Sequence, residues 1–215
     1  MKLHAIAIIA ILHAVGLTGV LLGHGEFFWS LTPLNLLVSG GLAMRSAWAE
    51  RTWWWAVVAL GGLVAEVVGV STGWLFGDYA YSGVLGWRVL GVPWLLGWMW
   101  LLLLQGSRYG VGGRWMQASF GATLMTAMDV LIEPVAVRAG WWAWAAEQPE
   151  WMAWKALVVE GQTIPWWNFA SWWLVSFLLL LFAPALPSHA SQRVWRGLWW
   201  IMVVFFSVLN LTEWN

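Results

Sequence analysis

Long apolar runs broken by short polar stretches set the rhythm of this 215-residue chain. A helix that crosses a bilayer needs ~20 mostly apolar residues. Seven segments qualify, at about 3–22, 31–48, 53–70, 92–107, 115–134, 168–186 and 195–212. The second is short, Gly-rich and interrupted by Asn35, so six spans is the fallback reading. The first has only Lys2 ahead of it and no small-x-small cleavage site before the next polar stretch, which predicts a retained helix rather than a signal peptide. The pattern predicts an all-α fold: a polytopic transmembrane helical bundle forming one integral membrane domain over 1–215, with interfacial segments in the two long connections, 71–91 and 135–167.

Composition agrees with a membrane setting. Hydrophobic residues make up 61% of the chain and charged residues 9%, far below the ~25% of soluble domains. Net charge is zero, and no basic block or acidic tail points to nucleic acid. With no cysteine, thiolate catalysis, disulfides and Cys-ligated metals are excluded. Counted over alternate connections, Lys2, Arg45, Arg51, Arg108, Arg114, Arg193 and Arg196 fall on one side, and Arg88, Arg138 and Lys155 on the other. The positive-inside rule therefore predicts a cytoplasmic N-terminus. The 24 Trp cluster in pairs and triples, such as Trp53-Trp54-Trp55 and Trp172-Trp173. They read either as interfacial belts or as the lining of a cavity for a long apolar ligand.

Against this background, the few carboxylates inside apolar runs are the candidate chemistry. Glu66 lies within 53–70, and Asp129 and Glu133 lie one helical turn apart, on a shared face, near the end of 115–134. A charge at membrane depth is costly, so such a group pairs with something or does chemistry. Two carboxylates close together in a low dielectric do not readily ionise together, and the pair is expected to hold a proton as a general acid would. The structural alternative is a salt bridge from Asp129 or Glu133 to Arg138 or Arg88. Pro134 is expected to end or kink the helix just beyond the pair.

The connection 71–91 carries Asp78, Tyr79 and Tyr81 among glycines, and reads as an interfacial loop or as a lid whose hydroxyls reach a carboxylate or water. The connection 135–167 carries Trp141 and Trp144, then Trp151 and Trp154, which outline a short amphipathic interfacial helix. The four His residues show no metal-ligand spacing, and no DDxxD repeat, Walker loop or HExxH is present. A carboxylate-only Mg²⁺ site at Glu66, Asp129 and Glu133 stays open, although no metal is assigned.

Three segments carry a family resemblance. They are Glu66-Val-Val-Gly-Val-Ser-Thr-Gly-Trp-Leu-Phe-Gly-Asp-Tyr-Ala-Tyr81 with Gly91-Val-Pro93, then Asp129-Val-Leu-Ile-Glu-Pro-Val-Ala-Val-Arg138 running on to Trp144, and Pro165-x-x-Asn168-Phe169 followed by Trp172. Over roughly 55–182 the chain resembles the carotenoid biosynthesis membrane proteins, a family that includes carotenoid 1',2'-hydratases and bisanhydrobacterioruberin hydratases. It departs from the family at Glu133, where an aspartate is expected, and at Ala170-Ser171, where a Gly is expected before the Trp.

The resemblance implies hydration of the terminal C1'–C2' double bond of an acyclic carotenoid without a cofactor, in the cell membrane of a bacterium or archaeon. The expected partners are the carotenoid, water, the lipid bilayer and other carotenoid biosynthesis enzymes. In that scheme Asp129 is the acid, Glu66 or Glu133 assists, and Tyr79, Tyr81, Asn168, Asp78, Trp141, Trp144 and Trp172 position substrate or water. The alternatives are a small lycopene cyclase-type enzyme, a non-catalytic carotenoid-binding scaffold, and a proton-coupled transporter.

Overall fold

In hydrocarbon the backbone must satisfy itself, so apolar runs wind into helices. The computed structural model, which describes residues 2–152 and 154–214, contains α1 (Lys2–Leu21), α2 (Gly25–Ser30), α3 (Thr32–Ala47), α4 (Trp53–Thr72), α5 (Leu95–Gly106), α6 (Arg114–Arg138), α7 (Trp166–Leu181) and α8 (His189–Leu211). Each of the seven predicted segments holds one of these helices, and α1, α4, α6 and α8 are long and apolar enough to cross a membrane.

The others are shorter than the sequence pattern implied. Helices α3 and α7 have 16 residues each, and α5 has 12. At 1.5 Å per residue, α5 is ~18 Å long against a hydrocarbon core of ~30 Å. Its N-terminus is cut back because Val92–Pro93 is used in a strand instead. Helix α6 runs on through Pro134 to Arg138, so the expected break at the proline does not occur. It stops at Gly140, which has φ +65°. There Gly140 N–H donates to Val137 and Trp141 N–H to Ala136, a Schellman ending that turns the chain back over the bundle.

The helices pair as α6 with α7, α4 with α5 and α1 with α8. Helices α4 and α5 meet through small residues: a Cβ on Gly62 would strike the Trp100 side chain at 2.3 Å, and one on Gly97 the Ala59 carbonyl at 2.4 Å. Close approach of this kind is the usual solution where water provides no driving force between helices. At the other end of the bundle Arg108 is buried against the face of Trp54 and donates to the carbonyls of Pro184 and Ala185. Burial lowers its pKa to about 10, so it remains charged at neutral pH.

The two long connections are held by short antiparallel ribbons. β1 (Tyr79–Tyr81) pairs with β4 (Trp142–Trp144), in the register Tyr79 to Trp144 and Tyr81 to Trp142. β2 (Arg88–Val89) pairs with β3 (Val92–Pro93), and β5 (Lys155–Val159) with β6 (Gln162–Pro165). The last hairpin replaces the amphipathic helix expected around Trp151 and Trp154, of which only a 3₁₀ turn, Glu150–Met152, forms. Its β-branched strand residues and the Glu160-Gly161 corner explain the change. Both corner residues have positive φ, +48° and +74°, the geometry of a two-residue hairpin loop.

Candidate functional site

Helix α4 turns Glu66 inward on a face it shares with Gly62 and Gly69. Gly69 leaves room above it, since a Cβ there would meet Phe76 at 2.5 Å and the Tyr79 hydroxyl at 3.0 Å. Helix α6 presents Asp129 and Glu133 to the same space, and α7 adds Asn168 from its first turn. These four side chains are only 1–3% exposed.

The β1–β4 ribbon closes the site. Alternation along each strand points Tyr79, Tyr81, Trp142 and Trp144 inward and Ala80 and Ala143 outward. The tyrosine hydroxyls both donate to Glu66 Oε2 at 2.7 Å, and Trp100 Nε1 donates to Oε1 at 2.9 Å. The indoles of Trp142 and Trp144 both donate to Glu133 Oε2, at 3.0 and 2.9 Å. Asn168 Nδ2 bridges Asp129 Oδ2 at 2.8 Å and Glu133 Oε1 at 3.4 Å. Each glutamate thus accepts three hydrogen bonds and Asp129 one. Burial, and after it the charge of Glu66, raises both tyrosine pKa values well above the ordinary phenol range, which keeps the hydroxyls as donors at working pH.

The enclosed cavity measures about 10 Å³ and is also lined by Leu96, Met99, Ile132 and Trp172. That is the scale at which a single water fits. Trp172 stacks on Trp100 with centroids 4.2 Å apart. Among the described residues no cation bonds to the three carboxylates. Arg138 instead reaches Pro134, Leu209 and Asn210, and Arg88 the carbonyl of Tyr81. The salt-bridge alternative therefore does not form. Nor do the carboxylates form a metal-binding cluster among the described residues.

Of the residues predicted from sequence, Glu66, Asp129, Glu133, Tyr79, Tyr81, Asn168, Trp144 and Trp172 come together here. Asp78 does not: it is exposed, and the ribbon engages its backbone, with N–H to Gln148 and C=O from Ala145 and Gln148. Trp141 is buried on the other side, edge-on to Trp29 and Phe206, because it precedes the strand out of phase with Trp142 and Trp144.

Trp142 and Trp100 were missed. The i, i+2 spacing of Trp142 and Trp144 signals a strand face, whereas nothing local marks Trp100. The segment Gly69-Val-Ser71-Thr-Gly73 spells GxSxG, but it ends a helix and Ser71 is exposed. A nucleophile elbow requires a strand–turn–helix.

The pattern that defines carotenoid biosynthesis proteins matches residues 31–214. The chain belongs to the carotenoid biosynthesis protein family. All residues that line the acid cavity of this carotenoid biosynthesis protein fall within the matched region, and α1 precedes it. The chain is also similar to a bisanhydrobacterioruberin hydratase from Haloarcula japonica, 33% identical over 131 residues. That match covers 54% of this chain and 39% of the relative, so the chain spans about two fifths of that protein's length. No solved structure matches.

Proposed function

We propose that this protein is a carotenoid hydratase that adds water across the terminal C1'–C2' double bond of an acyclic end group. The supporting observation is the uneven hydrogen bonding of three buried carboxyls around a water-sized cavity. Glu66 and Glu133 each accept three hydrogen bonds, which suits an ionised, acceptor-only carboxylate. Asp129 accepts one and has no cation beside it, so it is the carboxyl placed to carry a proton.

Asp129 gives that proton to C2', and the π electrons leave C1' as a tertiary cation. The water in the cavity adds its oxygen to C1'. The proton released from the adduct returns to the Asp129–Glu133 pair, so the enzyme ends as it began and one water has been consumed. No electron acceptor or donor enters this balance. The indoles of Trp172, Trp142 and Trp144 line the cavity, and an aromatic face turned to the end group would favour the developing cation, while Asn168 and the tyrosines orient the water. The hydratase name of the similar Haloarcula japonica protein supports the same reading. We further propose that α1 and α3 to α8 all cross between the two ends of the bundle with the N-terminus cytoplasmic, the shorter α3, α5 and α7 being completed by the residues that flank them, which would set this cavity in the outer half of the bundle.

The test is expression in a lycopene-producing host, with chromatography and mass spectrometry of the pigments. A product heavier by one water per reacted end is expected. A product of unchanged mass but cyclised ends would assign lycopene cyclisation instead, and unaltered pigment would leave a binding role.

A further inference from the structure

The acid cavity as it stands has the size of one water, so a terpene end group enters it only as the surrounding side chains give way, and the rest of a long substrate lies elsewhere. Two further cavities stand next in line. A chamber of about 40 Å³ is enclosed by His13, Trp29, Trp141, Met202 and Phe206, together with Met99, which also walls the acid cavity. Trp29, Thr32, Asn35 and Phe205 in turn wall both this chamber and a groove of about 200 Å³ between α1, α2, α3 and α8.

The groove is lined without a single Asp, Glu, Lys or Arg. It opens sideways from the bundle, for its rim residues Val15 and Leu34 are more than half exposed. A cavity of ~150 Å³ takes up a benzene ring, so the groove holds a stretch of a long hydrocarbon while the rest extends past the open rim. Gly16 supplies part of the space: a Cβ there would meet only Phe205, at 4.0 Å.

We infer that the α1–α3 groove binds the polyene chain of the substrate, and that the chamber and Met99 form the passage by which the end group reaches Asp129. This rests on the acid cavity being the reaction site. The occupant follows from continuity. The groove, the chamber and the acid cavity share walls in sequence, and carboxylates line only the last of them. A rigid hydrocarbon with a reactive end fits that order. Entry is from the side, so the substrate passes from lipid to the acid without crossing water.

The decisive experiment titrates lycopene into the purified Asp129→Asn protein in phospholipid nanodiscs, read by the circular dichroism induced in the visible band of bound pigment. Adding Gly16→Leu, which extends a side chain into the groove from a position where the new Cβ meets nothing closer than 4.0 Å, is expected to raise Kd at least tenfold. Val38→Trp, at the partly exposed rim, is expected to do the same. An unchanged Kd in both variants overturns the inference. So does the absence of any induced signal in the parent, which would mean a groove filled by lipid chains only. Turnover is followed separately on the otherwise unaltered protein. Groove-dependent binding without a hydrated product would overturn the proposed reaction and leave the groove standing.

Discussion

Asp129, Glu66 and Glu133 are chemically alike, and only their hydrogen-bond partners separate them. Each glutamate takes two donors from the ribbon and a third from a helix, Trp100 of α5 for Glu66 and Asn168 of α7 for Glu133, while Asp129 shares that one amide. Asp129→Asn keeps the shape and removes the acid. It is expected to lower hydration by about 10²–10⁴-fold, the usual contribution of general acid catalysis, with protein yield and thermal stability in detergent unaltered. Near-normal turnover would remove Asp129 from its role. Tyr79→Phe deletes one of three donors to Glu66. A hydrogen bond to a charged group is worth about 1.5–3 kcal/mol, so this variant is expected to lose thermal stability as well as rate. A loss of rate with unchanged stability would show that the bond does not hold the fold.

The ribbons and the α4–α5 contact turn those residues into a site. Pairing of β1 with β4 places two tyrosines over Glu66 and two tryptophans over Glu133, a distribution that neither strand could set alone. The Schellman ending at Gly140 delivers β4 to that position. Trp100 is located by a different device, the missing side chain at Gly62. Gly62→Ala is expected to push Trp100 off Glu66 and to destabilise by about 1–3 kcal/mol, the range for overpacking. Gly41→Ala, in α3 with nothing within 4 Å of the new Cβ, is expected to be neutral or stabilising by up to about 1 kcal/mol through helix propensity. Thermal unfolding of the two variants side by side checks both, and equal effects would contradict the packing argument.

For the molecule as a whole, the polar chemistry gathers at the end of the bundle that carries the two long connections, and the bulk of Lys and Arg at the other. If that asymmetry sets orientation, the ribbon end faces outward. The chain has no cysteine, so single substitutions label cleanly. A membrane-impermeant maleimide is expected to modify Glu147→Cys in intact cells and Arg193→Cys only after lysis, both positions being exposed. The reverse labelling would invert the topology, and equal labelling of both would remove one crossing.

Hydropathy and spacing are local properties, and what depends on them was legible in the chain itself. That includes the membrane class, the approximate position of seven of the eight helices, the three carboxylates at odds with their surroundings, and three motifs resembling the carotenoid biosynthesis family. Partner choice is not local. Glu66 meets its donors 13, 15 and 34 positions away, and Asp129 meets Asn168 at a separation of 39. Trp141, Trp142 and Trp144 look alike in sequence, yet strand phase sends two to Glu133 and the third to the neighbouring chamber. Asp78 is set aside in the same way, because the ribbon uses its backbone and leaves its carboxylate outside. The sequence by itself determined that acids lie buried in a membrane bundle. Only the tertiary structure decided which donors saturate two of them and leave Asp129 with one, because that allocation depends on the packing of α4, α5, α6 and α7 beneath one pair of strands.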